Sequence, residues 1–88
     1  MTGRISVLIA DDHPVVRQGL QVLLGVQDDI DVVGEAADGA EAVAQAAELD
    51  PDVILLDLKL PVLDGVGVLL ALRDRRIRAR ALVLTSAA

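Results

Sequence analysis

Asp11 and Asp12 close one short apolar run, Val7-Leu8-Ile9-Ala10, and Asp57 closes another, Val53-Ile54-Leu55-Leu56. Runs of β-branched residues and Leu bounded by polar residues read as buried strands of a parallel sheet. In such a sheet the C-terminal ends of neighbouring strands share one edge, where open α/β folds bind their ligands. If the two strands are neighbours, three carboxylates converge there. Carboxylates so crowded repel one another unless a cation holds them. A hard divalent ion such as Mg²⁺, which takes oxygen ligands and keeps several waters, answers that need.

The elements that would position these residues follow from local signals. Ile5 to Ala10 is the first strand. Pro14 suits the first turn of a helix, where its missing N–H costs nothing. Val16, Leu20, Leu23 and Leu24 continue at helical spacing, with Gly25 as a stop. Ile30 to Ala37 reads as a second strand, and its Asp31 and Glu35 suit the edge of a sheet. Asp38 and Glu41 have capping-box spacing and open a helix whose small-residue face is Val43, Ala44 and Ala47. That helix ends at Leu49-Asp50-Pro51. Val53 to Asp57 is the third strand. Leu60 to Gly65 is a loop, a helix runs from Gly65 to about Asp74, and Ala81 to Thr85 is a fourth strand. The order βαβαβαβ calls for a parallel sheet with right-handed crossovers, an α/β doubly wound fold.

Composition narrows the class further. The 88 residues carry a formal charge of -6 and contain neither cysteine nor any aromatic residue. The core is therefore aliphatic, and no disulfide framework exists. No apolar run approaches the ~20 residues a membrane span needs, and Asp11 and Asp12 interrupt any secretory h-region. The chain is expected to be a single soluble cytoplasmic domain. Its acidity argues against nucleic acid binding by this segment itself. The last strand, Ala81-Leu82-Val83-Leu84, is too apolar for an exposed edge, and helices covering both sheet faces would number more than three. The doubly wound fold is thus expected to be incomplete, a fragment or one finished by a partner.

Taken together, these residues resemble the receiver domain of two-component response regulators. The resemblance rests on Asp11-Asp12 after strand one, Asp57 ending strand three, Pro61 with Asp64-Gly65 beyond it, and Thr85 followed by Ser86 after strand four. It covers residues 1–88 as one receiver, of flavodoxin-like architecture, lacking the family's last helix-strand-helix, its active-site lysine and its switch aromatic. The stretch from Asp11 to Leu20 looks like the subfamily whose output is a LuxR-type helix-turn-helix domain. The resemblance implies that Asp57 accepts a phosphoryl group from a histidine kinase. It implies that Asp11, Asp12, Asp57 and the backbone carbonyl of Lys59 hold Mg²⁺, and that Thr85 contacts the phosphoryl group as a switch. It also implies that Lys59 and Ala87 flank that group and tune acyl phosphate hydrolysis. A cation at Lys59 beside the phosphoryl group is expected to slow it, with a solvated loop lysine as the alternative reading. DNA would be reached only through an output domain absent from this chain. The open C-terminal edge suits a homodimer, and a phosphorylation-independent interaction module is the alternative use of the same fold.

Other residues read as structural. His13 is a loop residue before Pro14, without a second histidine for a metal site. The cobalamin motif Asp-x-His-x-x-Gly fails because Val16 stands where its glycine belongs. Arg73, Arg75, Arg76, Arg78 and Arg80 form a basic run that suits a solvated helix end, with no aromatic interleaved for base stacking. A phosphohydrolase of the haloacid dehalogenase type needs Asp-x-Asp, and Asp57-Leu58-Lys59 lacks the second Asp.

Overall fold

The computed structural model describes residues 3–84. Its elements run β1 (Ile5–Ala10), α1 (Pro14–Gly25), β2 (Ile30–Ala36), α2 (Gly39–Leu49), β3 (Val53–Asp57), α3 (Gly65–Asp74) and β4 (Arg80–Leu84). These match the expected elements to within a residue at each described boundary. The four strands form one parallel sheet in the order β2-β1-β3-β4. The chain steps from β1 outward to β2, then back across to β3 and on to β4. Crossovers of one hand then place α1 on one face and α2 with α3 on the other, so the doubly wound flavodoxin-like fold is present. The order reverses between β1 and β3, and this switch point sets Ala10 opposite Leu56.

Each helix start has a local cause. Asp38 accepts a hydrogen bond from the Glu41 N–H at 2.8 Å, and Asp64 accepts one from the Gly67 N–H at 2.8 Å. Both satisfy a donor that the first helical turn leaves free. Only half of the capping box forms at α2, since the Glu41 carboxylate instead accepts from Gln45 Nε2 at 3.0 Å. At α1, Pro14 occupies the first turn, and His13 caps in extended conformation without a side-chain bond to the helix. α3 ends with Arg76 left-handed at φ 55, and the Ile77 N–H returns to the Leu72 carbonyl at 2.9 Å. The five arginines from Arg73 to Arg80 are all exposed along this turn and the start of β4.

The core lies between the sheet and the α2/α3 layer. Leu8, Ala10, Ile54 and Leu56 face Ala42, Val43, Ala46, Val68 and Leu72. The inward face of α2 is thus Gly39, Ala42, Val43 and Ala46, while Ala44 and Ala47 are exposed. The small-residue face expected at Val43, Ala44 and Ala47 is therefore corrected in part. Spacing of three, one and three residues keeps one stripe in register with the sheet, and alanine on every side of α2 hid which stripe that is. On the opposite face α1 has no buried residue, and Val16, Val22 and Leu23 are exposed. Leu82 and Val83 of β4 are likewise exposed, at 57% and 43%.

β1 and β3 are fastened at their N-terminal ends as well. The Asp52 carboxylate accepts from the Ser6 N–H at 2.9 Å and from Ser6 Oγ at 3.1 Å. These bonds favour the ionised form and lower the Asp52 pKa below its ordinary 3.8. A depressed carboxylate contributes stability that is present above its unfolded value and lost as pH falls through its folded value. Asp52→Asn is therefore expected to flatten the acid limb of unfolding below pH 3.8. Acid titration of circular dichroism in both proteins checks this, and an unchanged limb would show that the pairing contributes nothing.

Candidate functional site

β1 and β3 deliver their carboxylates to one end of the sheet, as the run lengths require. Asp11 follows the last residue of β1 and Asp57 is the last of β3. Both are buried, at 4% and 6% exposure. Asp12 sits beside them, partly buried. Asp11, Asp12, His13 and Asp57 each offer one ligand atom, and these atoms lie within 4.8 Å of one another. The expected convergence of Asp11, Asp12 and Asp57 is thus present, with His13 as a fourth member.

Hydrogen bonds hold the cluster in place. The Asp11 N–H donates to the Ala36 carbonyl at 3.0 Å. Asp11 Oδ1 accepts from the His13 N–H at 2.8 Å, a tight turn that leads the chain into α1. His13 Nδ1 lies 2.8 Å from the same oxygen, 3.0 Å from Asp12 Oδ1 and 3.9 Å from Asp57 Oδ2. The hydrogen bond to Asp11, followed by the charge of Asp12, raises the His13 pKa above its ordinary 6.5. Asp57 Oδ1 accepts from the Lys59 N–H at 3.0 Å. This bond fixes the Lys59 peptide beside the acceptor carboxylate, while the Lys59 side chain is exposed.

One oxygen of the cluster lacks a well-aligned partner. Asp12 Oδ1 is fully enclosed and receives no hydrogen bond. The nearby His13 Nδ1 carries at most one proton, and Asp11 engages it. An enclosed carboxylate oxygen without a donor is costly. Among hard oxygen ligands the natural partner is a divalent cation such as Mg²⁺, so the donor set fits that ion.

His13 was read from the sequence as a loop residue and is exposed, yet its ring nitrogen lies inside the cluster. The signal for this was its position two residues after Asp11, the spacing of a side-chain-to-backbone turn. Thr85, and the Ser86 and Ala87 that follow it, lie outside the described residues. An open groove of about 490 Å³ at the opposite end of the sheet is lined by Ile5, Pro51, Asp52, Val53, Arg78 and Arg80. It shares no residue with the cluster.

A parallel α/β sheet with buried carboxylates at its switch point defines a flavodoxin-like domain whose acidic cluster could hold a metal ion. Residues 7–88 match the response regulator receiver domain model, and the chain belongs to that family. It is 41% identical over 80 residues to the nitrate/nitrite response regulator protein NarL of Escherichia coli, covering 91% of this chain and 37% of the relative. It is 46% identical over 82 residues to the response regulator protein VraR of Staphylococcus aureus, covering 93% and 39% respectively. The chain therefore spans less than half the length of these relatives. Among solved structures, the signal receiver domain of a NarL response regulator from Mycobacterium tuberculosis superposes with a TM-score of 0.94. That match has 36% identity and covers 99% of this chain and 70% of the other. RcsB of Salmonella enterica, bound to the promoter rprA in the presence of the phosphomimetic BeF₃⁻, has a TM-score of 0.85 at 30% identity, covering 94% of this chain and 43% of that one.

Proposed function

We propose that the chain is the phosphoacceptor portion of a response regulator, with Asp57 as the acceptor. The observation that carries this reading is the burial of Asp57 beside Asp11 and the unpartnered Asp12 oxygen at the sheet switch point. A carboxylate oxygen of Asp57 attacks the phosphorus of a phosphohistidine on a sensor kinase. The P–N bond breaks, the histidine imidazole leaves with its electron pair, and an aspartyl phosphate remains. Phosphoryl transfer asks for positioning and charge neutralisation more than for covalent help. Asp11, Asp12, Asp57 and the Lys59 carbonyl would hold Mg²⁺, which supplies positive charge to the phosphoryl oxygens. The Lys59 N–H fixes Asp57 Oδ1 and so orients the carboxylate. Thr85, the next residue in sequence after β4, is assigned the hydroxyl contact to the phosphoryl group.

The chain acts as a regulatory acceptor in the cytoplasm and not as an enzyme with a turning-over substrate. NarL, VraR and RcsB are response regulators, and RcsB is bound to a promoter. By analogy, DNA is controlled through an output domain outside this chain. The exposed Leu82 and Val83 of β4 suit pairing with a second copy, a homodimer through that edge.

Intact mass after incubation with acetyl phosphate and Mg²⁺ tests the reading. The wild type is expected to gain one phosphoryl group, slowly because the family's active-site lysine has no counterpart among these residues, and Asp57→Ala none. A folded wild type without the gain, or an equal gain in Asp57→Ala, overturns the assignment.

A further inference from the structure

Arg17 reaches the acidic site from behind. It lies on the first turn of α1, one helical turn after His13, and its side chain is 20% exposed. Its Nη1 donates to the Asp11 main-chain carbonyl at 2.7 Å, and its Nε donates to Glu35 Oε1 at 3.3 Å. Glu35 is itself held, because its carbonyl accepts from Gln45 Nε2 at 2.7 Å. The guanidinium thus spans from the end of β1 to β2, and α2 braces the far side.

We propose that Arg17 is a positioning residue for the acidic site, pinning the Asp11 carbonyl so that the Asp11 and Asp12 carboxylates stay turned into the cluster. A peptide unit is planar, so the direction of the Asp11 C=O also sets that of the Asp12 N–Cα bond. The peptide before Asp11 is fixed by its N–H bond to Ala36. With both flanking peptides held, Asp11 has no free backbone rotation, and Asp12 begins from a set direction. Neither Asp11 nor Asp12 belongs to a strand or helix, so without Arg17 the second peptide would be held only by the turn to His13. Three crowded carboxylates would then splay apart to relieve repulsion, and the cation would have to gather them again. The fork geometry of arginine matters here. One donor serves a carbonyl while another serves a carboxylate, a division that a lysine ammonium on a flexible stem reproduces poorly.

The inference rests on the acceptor-site reading above. Its test is Mg²⁺ affinity by isothermal titration calorimetry, well below the unfolding temperature, on wild type, Arg17→Ala, Arg17→Lys and Glu35→Ala. Loss of a group that orients metal ligands weakens binding by roughly 10-fold or more. Arg17→Ala is expected to show that loss, Arg17→Lys a partial recovery, and Glu35→Ala an intermediate loss, all with native circular dichroism. A merely structural arginine would lower the melting temperature and leave the affinity of the folded protein unchanged. Wild-type affinity in Arg17→Ala overturns the positioning role while leaving the acceptor site standing. If Arg17→Ala does not fold, Arg17→Lys and Glu35→Ala decide, and wild-type affinity in both overturns it. Absence of Mg²⁺ binding in the wild type would instead overturn the site reading, and the positioning role with it.

Discussion

Gly39→Ala is expected to lower stability by about 3 kcal/mol or more, at the upper end of what overpacking costs. Gly39 opens α2 against the loop that follows β3. A Cβ there would lie 1.7 Å from the Leu63 carbonyl oxygen and 2.6 Å from its carbonyl carbon. Those atoms are backbone, so no rotamer change relieves the contact. The Gly39 N–H also donates to the Pro61 carbonyl at 3.2 Å. To make room, α2 and the Pro61–Leu63 segment must part, and that bond goes with them. For a domain of this size the midpoint of thermal unfolding should fall by roughly 10 °C or more. Gly25→Ala serves as the control, since nothing lies within 4 Å of a Cβ at that position. It is expected to be neutral or to stabilise by up to about 1 kcal/mol through reduced backbone freedom. Equal melting temperatures for Gly39→Ala and wild type would show that the α2–loop contact accommodates a methyl group without cost. The contact matters for function because the same loop leaves Asp57 through Lys59 and returns at Gly65, whose N–H donates to the Leu58 carbonyl at 2.9 Å.

The sheet was legible in the sequence because its two central strands are buried on one face and at least partly covered on the other over these runs. Val7 to Ala10 and Val53 to Leu56 are therefore unbroken aliphatic runs, and the carboxylates that end them stand out. The acidic residues of β2 marked it as an edge for the same reason, and the strand order bears this out. The starts of α1 and α2 were legible through Pro14 and Asp38, short-range signals that tertiary packing did not override. What could not be read depends on directions that a sequence does not carry. α2 has alanine at five positions, so its apolar stripe had several equivalent placements until the sheet selected Ala42, Val43 and Ala46. Val62 takes a positive φ of 71, rare for a β-branched residue. The Leu63 N–H to Pro61 carbonyl bond at 2.7 Å closes a tight turn there, and nothing in Pro-Val-Leu announced it. Arg17 gave only a cation at helical spacing from His13. Its two partners, the Asp11 carbonyl just after β1 and Glu35 on β2, are brought within reach by the parallel pairing of those strands.

Mg²⁺ is expected to stabilise the chain strongly, and less so at low pH. An ion that binds the folded state alone adds about 2.7 kcal/mol at one hundred times its dissociation constant. On a chain this short that corresponds to a rise of roughly 10–20 °C in melting temperature, which a chelator should reverse. His13 sets the pH dependence. In the metal-free protein its imidazolium lies against Asp11 and Asp12, which is why its pKa is raised above 6.5. A raised group contributes stability that is fully present below its unfolded value and lost as pH rises through its folded value. Below 6.5 the imidazolium already compensates the carboxylates, so the ion must displace it and adds less. Above the raised value the ring is neutral, the carboxylates are uncompensated, and the ion adds its full increment. His13→Ala should remove this dependence, leaving the Mg²⁺ increment nearly level across the same window. Thermal melts of both proteins, with and without Mg²⁺, on either side of the His13 titration decide the matter. A wild-type increment that does not grow with pH, or a His13→Ala protein with the wild-type slope, would place the imidazole outside the electrostatics of the site.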